Sequence, residues 1–155
     1  MDRNRERWGG FCDNPDPILL DRLDTLLTKS KATIVISSTW RLMSNYMDLW
    51  RLFAVLGFKG TMIGQTPELP SDRTRGDEIK KWLDDEAAGK HTYSEELPGN
   101  CWGFSSKPRS IESFVILDDD PDMGDLMPHL VRCDPQVGLS QKNVDEALKI
   151  LTGKP

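Results

Sequence analysis

Two groups of side chains in this sequence are of the types needed to handle a phosphate and a hard cation. Ser37, Ser38 and Thr39 follow the β-branched run Thr33–Ile36, and Arg41 comes just after them. Asp118, Asp119 and Asp120, with Asp122 and Asp125 close behind, follow the apolar run Phe114–Leu117. Hydroxyls and exposed backbone N–H groups at a strand end can hold phosphate oxygens. A guanidinium such as that of Arg41 can clamp an oxyanion through two bonds at once. Crowded carboxylates are costly unless something positive sits among them, and magnesium takes oxygen ligands together with waters. Each group also has a plainer reading. Ser37-Ser38-Thr39 could simply cap the next turn, and Asp-Pro and Asp-Met-Gly sequences often open turns. Trp40 has a ring able to stack on a base, but a tryptophan beside a strand is more often core.

Arg75 stands immediately before a helix expected to open near Gly76. A cation fixed beside a helix N-terminus could neutralise charge on a transferred phosphoryl group. Arg73 competes for that role, and the plainer alternative pairs either arginine with Asp72, Asp77 or Glu78 at the surface. In an open parallel sheet, ligands gather beyond the carboxyl ends of the strands. Ser37 and Asp118 are therefore expected to share a site, although about eighty residues separate them.

The elements that must position these groups are legible from period and caps. Asp16 reads as an N-cap with Pro17 at the first helical position, and Leu19, Leu23, Leu26 and Leu27 follow at helical spacing, predicting a helix over 17–28. Thr33–Ile36 suits a parallel strand covered on both faces. A second helix is expected from Asn45 to Leu56, with Tyr46, Leu49, Trp50, Phe53 and Leu56 inward and Gly57 as its stop. Thr61–Ile63 reads as a short strand, and the helix near Gly76 buries Ile79, Trp82 and Leu83. Residues 89–110 show no sustained period and read as an irregular insertion, functional or mobile. Within it, Trp102 and Phe104 are the anchors a partner would use. Phe114–Leu117 and Leu130–Cys133 are the remaining strands, and a last helix follows Ser140. Strands alternating with helices imply an α/β fold, a Rossmann-like three-layer sandwich with a mostly parallel sheet.

The length of 155 residues suits one domain, taken as 15–155 after a charged arm or loop over 1–14. The net charge of -5 excludes a global basic footprint for long duplexes. A local patch at Arg41, Arg73, Arg75, Lys80 and Lys81 stays open beside the plainer reading of a solvated surface. Cys12, Cys101 and Cys133 are odd in number and scattered, which suits a reducing cytoplasm rather than a disulfide framework. His91 and His129 are the only histidines, so a Cys/His zinc site is not expected. No apolar run is long enough to span a membrane.

With these residues in view, the sequence resembles the haloacid dehalogenase (HAD) superfamily of phosphotransferases, and is similar to the small HAD domains associated with RNA-repair proteins. The resemblance rests on Ile34–Arg41, Arg75–Leu83, Phe114–Met123 and Val131–Pro135, in the order that family uses, and covers roughly residues 15–151. It implies that Ser37 binds the phosphoryl group, with Ser38 beside it, and that Arg75 supplies the cation. It implies further that Asp118 and Asp119 complete magnesium coordination with help from Asp122. The implied reaction is phosphomonoester hydrolysis through an aspartyl-phosphate, on a phosphorylated small molecule or a nucleic-acid end.

One departure is large. The family's first motif, Asp-x-Asp-Gly at the end of a strand, supplies the nucleophile, and it should precede Ser37. Asp13-Asn14-Pro15-Asp16 lacks the apolar strand and reads as a helix cap instead. The missing strand would lie centrally, between Thr33–Ile36 and Phe114–Leu117. The favoured explanation is a reading frame that begins upstream of Met1. As written, the chain has no catalytic residue to name and is expected to be inactive. A non-catalytic phosphate- or nucleic-acid-binding module is the alternative.

Overall fold

The computed structural model describes residues 16–42, 45–91, 93–97, 101–105, 108 and 110–154. The arm expected over 1–14 lies outside the described residues. Helix α1 (Pro17–Ser30) begins as its sequence dictates: the Asp16 carboxylate accepts from the Ile18 N–H at 2.9 Å, and Pro17 takes the first turn. The helix runs two residues beyond its expected end and stops at Lys31, which adopts a left-handed φ of 58°.

Strand β1 (Ile34–Ile36) pairs in parallel with β2 (Met62–Gln65), Ile34 opposite Met62 and Ile36 opposite Gln65. Between them runs α2 (Tyr46–Val55), capped by the Asn45 side chain on the Asp48 N–H. Gly57 follows with φ 92°, as its stop role requires. Helix α3 (Arg75–Ala87) comes next. A second parallel pair joins β5 (Ile116–Asp118) to β6 (Leu130–Arg132), with Asp118 opposite Arg132. Helix α4 (Gln141–Thr152) closes the chain behind a Ser140–Asn143 capping box and ends at Gly153, φ 63°. The α/β class and the parallel pairing expected from the sequence are both present.

Between α3 and β5 the structure departs from expectation. The segment read as irregular holds an antiparallel hairpin, β3 (Tyr93–Leu97) against β4 (Cys101–Ser105). Pro98-Gly99-Asn100 is a turn signal between two five-residue runs. It was obscured because Glu95-Glu96 breaks any apolar alternation. Trp102 and Phe104 stand two positions apart on β4, opposite Glu96 and Ser94.

Among the described residues the two parallel pairs form separate two-stranded sheets. Helix α1 bridges them. Its Leu20 and Leu27 pack with Leu49, Phe53, Phe58 and Met62 on the β1–β2 side. Its Leu26 packs with Val131, Val144 and Ala147 on the β5–β6 side. A third cluster, Ile79, Ile116 and Met123, fastens α3 to β5. The strand ends bearing Ser37 and Asp118 are thus held by helices on several sides.

Candidate functional site

The N-terminus of α3 is set by Thr74, whose hydroxyl accepts from the Asp77 N–H at 3.2 Å while the Asp77 carboxylate accepts from the Thr74 N–H at 3.0 Å. This reciprocal cap makes Arg75 the first helical residue and aims it at the strand ends. One guanidinium nitrogen, Nη1, donates to the Ser37 carbonyl at 2.8 Å and to Asp118 Oδ2 at 3.3 Å. That nitrogen carries two hydrogens, so it can serve both acceptors. The two strand ends therefore meet at a single atom.

The acidic loop is ordered from within. Asp118 Oδ1 accepts from the Asp120 N–H at 3.0 Å, and Asp120 Oδ1 accepts from the Asp122 N–H at 2.9 Å. Aspartate side chains closing onto the backbone two residues on are a common turn device. Outside fixings come from Arg132, whose Nε donates to the Asp119 carbonyl at 3.1 Å, and from the Gly76 N–H, which donates to the Asp122 carbonyl at 3.3 Å. Burial raises the Asp118 carboxyl above the usual carboxylate range and Asp119 adds to that; the Asp120 N–H and the Arg75 charge pull it down but do not win. A further cation beside Asp118 would offset this penalty.

Of the residues singled out in the sequence, Ser37, Arg75 and Asp118 are brought together. Ser38 lies one step along, half-buried, its carbonyl accepting from Arg41 Nη1 at 2.9 Å. Asp119 and Asp122 have exposed side chains on the same loop. Among the described residues no three carboxylates, histidines or cysteines converge as a ligand cluster. Magnesium commonly uses only one or two protein carboxylates plus water and substrate phosphate; here Asp118 already accepts from the Asp120 N–H and from Arg75, and Asp119 is exposed beside it. Cys133 adds nothing to it: burial, then Asp118 and Asp119 beside it, push its thiol up to about 11, so it stays protonated.

Arg41 takes a different role from the oxyanion clamp its position suggested. It is buried, with Nε on the Thr66 carbonyl at 3.1 Å, Nη1 on the Ser37 carbonyl at 2.7 Å and Nη2 on Glu78 Oε2 at 2.6 Å. Every nitrogen is engaged in holding the fold. The Trp40 ring lies outside the described side chains.

Sequence reading also missed Gly76, which packs against the acidic loop. A Cβ there would lie 2.6–2.8 Å from the Met123 backbone O, C and Cα, closer than real contacts allow. Gly76→Ala is therefore expected to destabilise the protein by about 1–3 kcal/mol, as overpacking does. It should also displace the loop that carries Asp118. A urea midpoint unchanged from wild type would show that the loop yields freely.

This geometry brings Ser37, Arg75 and Asp118 together at the strand ends of an α/β domain. The model of the family described as the HAD domain in Swiss Army Knife RNA repair proteins matches residues 3–94, more than half of the chain, and the chain belongs to that family. The match takes in Ser37, Ser38 and Arg75 and stops before Asp118. No curated protein and no solved structure matches the chain. No helix among the described residues is long and apolar enough to cross a membrane.

Proposed function

We propose that this domain binds a terminal phosphate between the ends of β1 and β5, as the phosphate- and cation-holding part of a magnesium-dependent phosphohydrolase centre acting on nucleotide or RNA ends. The observation that carries the reading is the Arg75 Nη1 contact with both the Ser37 carbonyl and Asp118. Membership of a family described by RNA repair favours nucleic-acid ends over other phosphomonoesters. A reducing, cytoplasmic setting suits the three scattered cysteines.

In this reading the hydroxyls of Ser37 and Ser38 and the backbone N–H groups of their turn bind phosphoryl oxygens. Arg75, already held at the site by two acceptors, orients the phosphate and balances its charge. Asp118 and Asp119 would hold the magnesium, with Asp122 assisting from the same loop. When bound, the ion supplies charge neutralisation for the phosphoryl oxygens. The Asp-x-Asp-Gly pattern does not occur in these 155 residues. The residues present therefore bind and orient, and turnover by this chain alone is not expected. That absence is the specific observation favouring a second reading, a phosphate-binding module without catalysis.

Calorimetric titration with inorganic phosphate, with and without magnesium, tests the proposal. Magnesium should tighten phosphate binding at least tenfold in the wild type and not in Asp118→Ala. A phosphatase assay on this chain should show binding without turnover; magnesium-dependent turnover that is lost in Asp118→Ala would instead make the chain an enzyme in its own right and overturn the module reading. Absence of phosphate binding under both conditions would reject the site itself.

A further inference from the structure

Along the outer face of α3 runs a groove of about 390 Å³, lined by Leu69, Pro70, Arg73, Lys80, Lys81 and Asp84. It is a built feature. The Leu69 N–H donates to Glu78 Oε1 at 3.2 Å, and the Arg73 N–H closes a turn on the Pro70 carbonyl at 2.9 Å. Gly76, Ile79 and Trp82 occupy the opposite, buried face of the helix. The positions lining the groove are therefore the solvent side by the helical period.

Charge and polarity divide within the groove. Leu69 and Pro70 form an apolar wall. Arg73 is exposed and makes no ion pair among the described residues. Lys80 and Asp84 stand 3.7 Å apart with both side chains well exposed, a pair that water and salt screen easily. Lys81 reaches Asp85 and keeps about half of its side chain in solvent. The carboxylate of Asp77, which also borders the groove, is committed to the helix cap. Only Thr74 separates Arg73 from Arg75, a backbone span of at most about 7 Å. Arg75 shares the helix side of Ile79 and Trp82, so a strand leaving the phosphate site would round the N-terminus of α3 at Arg73 to reach the groove.

We propose that this groove takes the backbone of a single-stranded polynucleotide whose phosphorylated end occupies the Ser37–Arg75 site. Cations spaced along one helix face suit successive phosphates, and an apolar wall suits the sugars and bases between them. A free phosphorylated metabolite would leave the groove unused. The inference rests on the phosphate-site reading and narrows it to phosphorylated chain ends.

Fluorescence anisotropy with the full chain tests this. The probes are ten-nucleotide single-stranded RNAs phosphorylated at the 5′ or the 3′ end and labelled at the other; uridine monophosphate is the competitor. One of the two RNAs should bind at least tenfold more tightly than the mononucleotide. Arg73→Gln/Lys80→Gln/Lys81→Gln should weaken RNA binding at least fivefold and leave mononucleotide binding within twofold. The salt dependence, plotted as log K against log salt, should flatten by about 2, the loss expected for three single-strand phosphate contacts. If RNA and mononucleotide bind equally, or the triple variant binds RNA as the wild type does, the groove assignment fails while the phosphate site stands. If neither binds, both fall. Equal losses for RNA and mononucleotide in a variant with unchanged circular dichroism would also overturn it, by moving these cations into the phosphate site.

Discussion

Replacing Arg41 with methionine is expected to lower the stability of this domain by about 3–5 kcal/mol, the range seen when one partner of a buried ion pair is removed. For a chain of this size that corresponds to a fall in Tm of roughly 6–20 °C. The Arg41 side chain is 4% exposed and that of Glu78 14%, so the surviving carboxylate would be left with little water to solvate it. The Ser38 and Thr66 carbonyls would lose this donor at the same time, and the Ser37 carbonyl one of its two. Glu78→Gln should cost less, because the guanidinium keeps its three carbonyls and the new amide oxygen can still accept from it, although the Leu69 N–H loses its acceptor. Thermal unfolding of both variants checks the ordering. A methionine variant within about 1 kcal/mol of the wild type would show that these groups rehydrate freely.

The same residue marks where sequence reading reaches its limit. Local signals were sufficient wherever a single segment decides its own conformation. Asp16-Pro17, Asn45, Ser140 and Gly153 fix helix ends through bonds to the backbone only a few residues away, and the helices start or stop where those residues stand. The apolar runs locate the strands to within a residue or two, although the full cover on both faces expected of Thr33–Ile36 is not found: Ile34, Val35 and Ile36 are each half-buried. Arg41 was ambiguous since a guanidinium beside a strand end can face outward to a ligand or inward to carbonyls. What decides is Glu78, thirty-seven residues on, together with the end of β2. Gly76 was likewise invisible as a packing residue, its constraint coming from Met123 in another element.

At the site itself, the meeting of Ser37 and Asp118 could be expected from topology, because ligands collect at the carboxyl ends of parallel strands. Arg75 could be placed at the helix opening, but its simultaneous hold on both strand ends could not. Thr74 is the residue that makes this possible, and its signal was present as Thr74-Arg75-Gly76-Asp77, a capping box with aspartate in place of the usual glutamate. The Asp118–Asp122 run was read for its charge. In the structure part of that run serves as turn scaffolding: the Asp118 carboxylate receives the Asp120 N–H and the Asp120 carboxylate the Asp122 N–H, so local turn geometry and not charge alone accounts for the aspartates.

Arg75→Gln should weaken phosphate binding about 100-fold, or about 2.7 kcal/mol, in a domain that circular dichroism shows to be still folded. The ion pair with Asp118 is largely buried, with 20% of the Arg75 and 9% of the Asp118 side chain exposed, so its loss should also cost about 1–3 kcal/mol of stability. Its loss from the site is another matter, because the guanidinium is the cation closest to both strand ends and is held there before any anion arrives. Arg75→Lys should fall between the two, at about a tenfold loss. An ammonium keeps the charge but lacks the planar fork that grips two oxygens together. Combining Arg75→Gln with Asp118→Asn sharpens the test. If both residues act on one bound phosphate assembly, the double variant should lose clearly less than the product of the single losses, because the first substitution has already dismantled what the second would remove. Strictly multiplicative losses, measured by phosphate titration in magnesium, would place Arg75 and Asp118 in separate sites despite their contact.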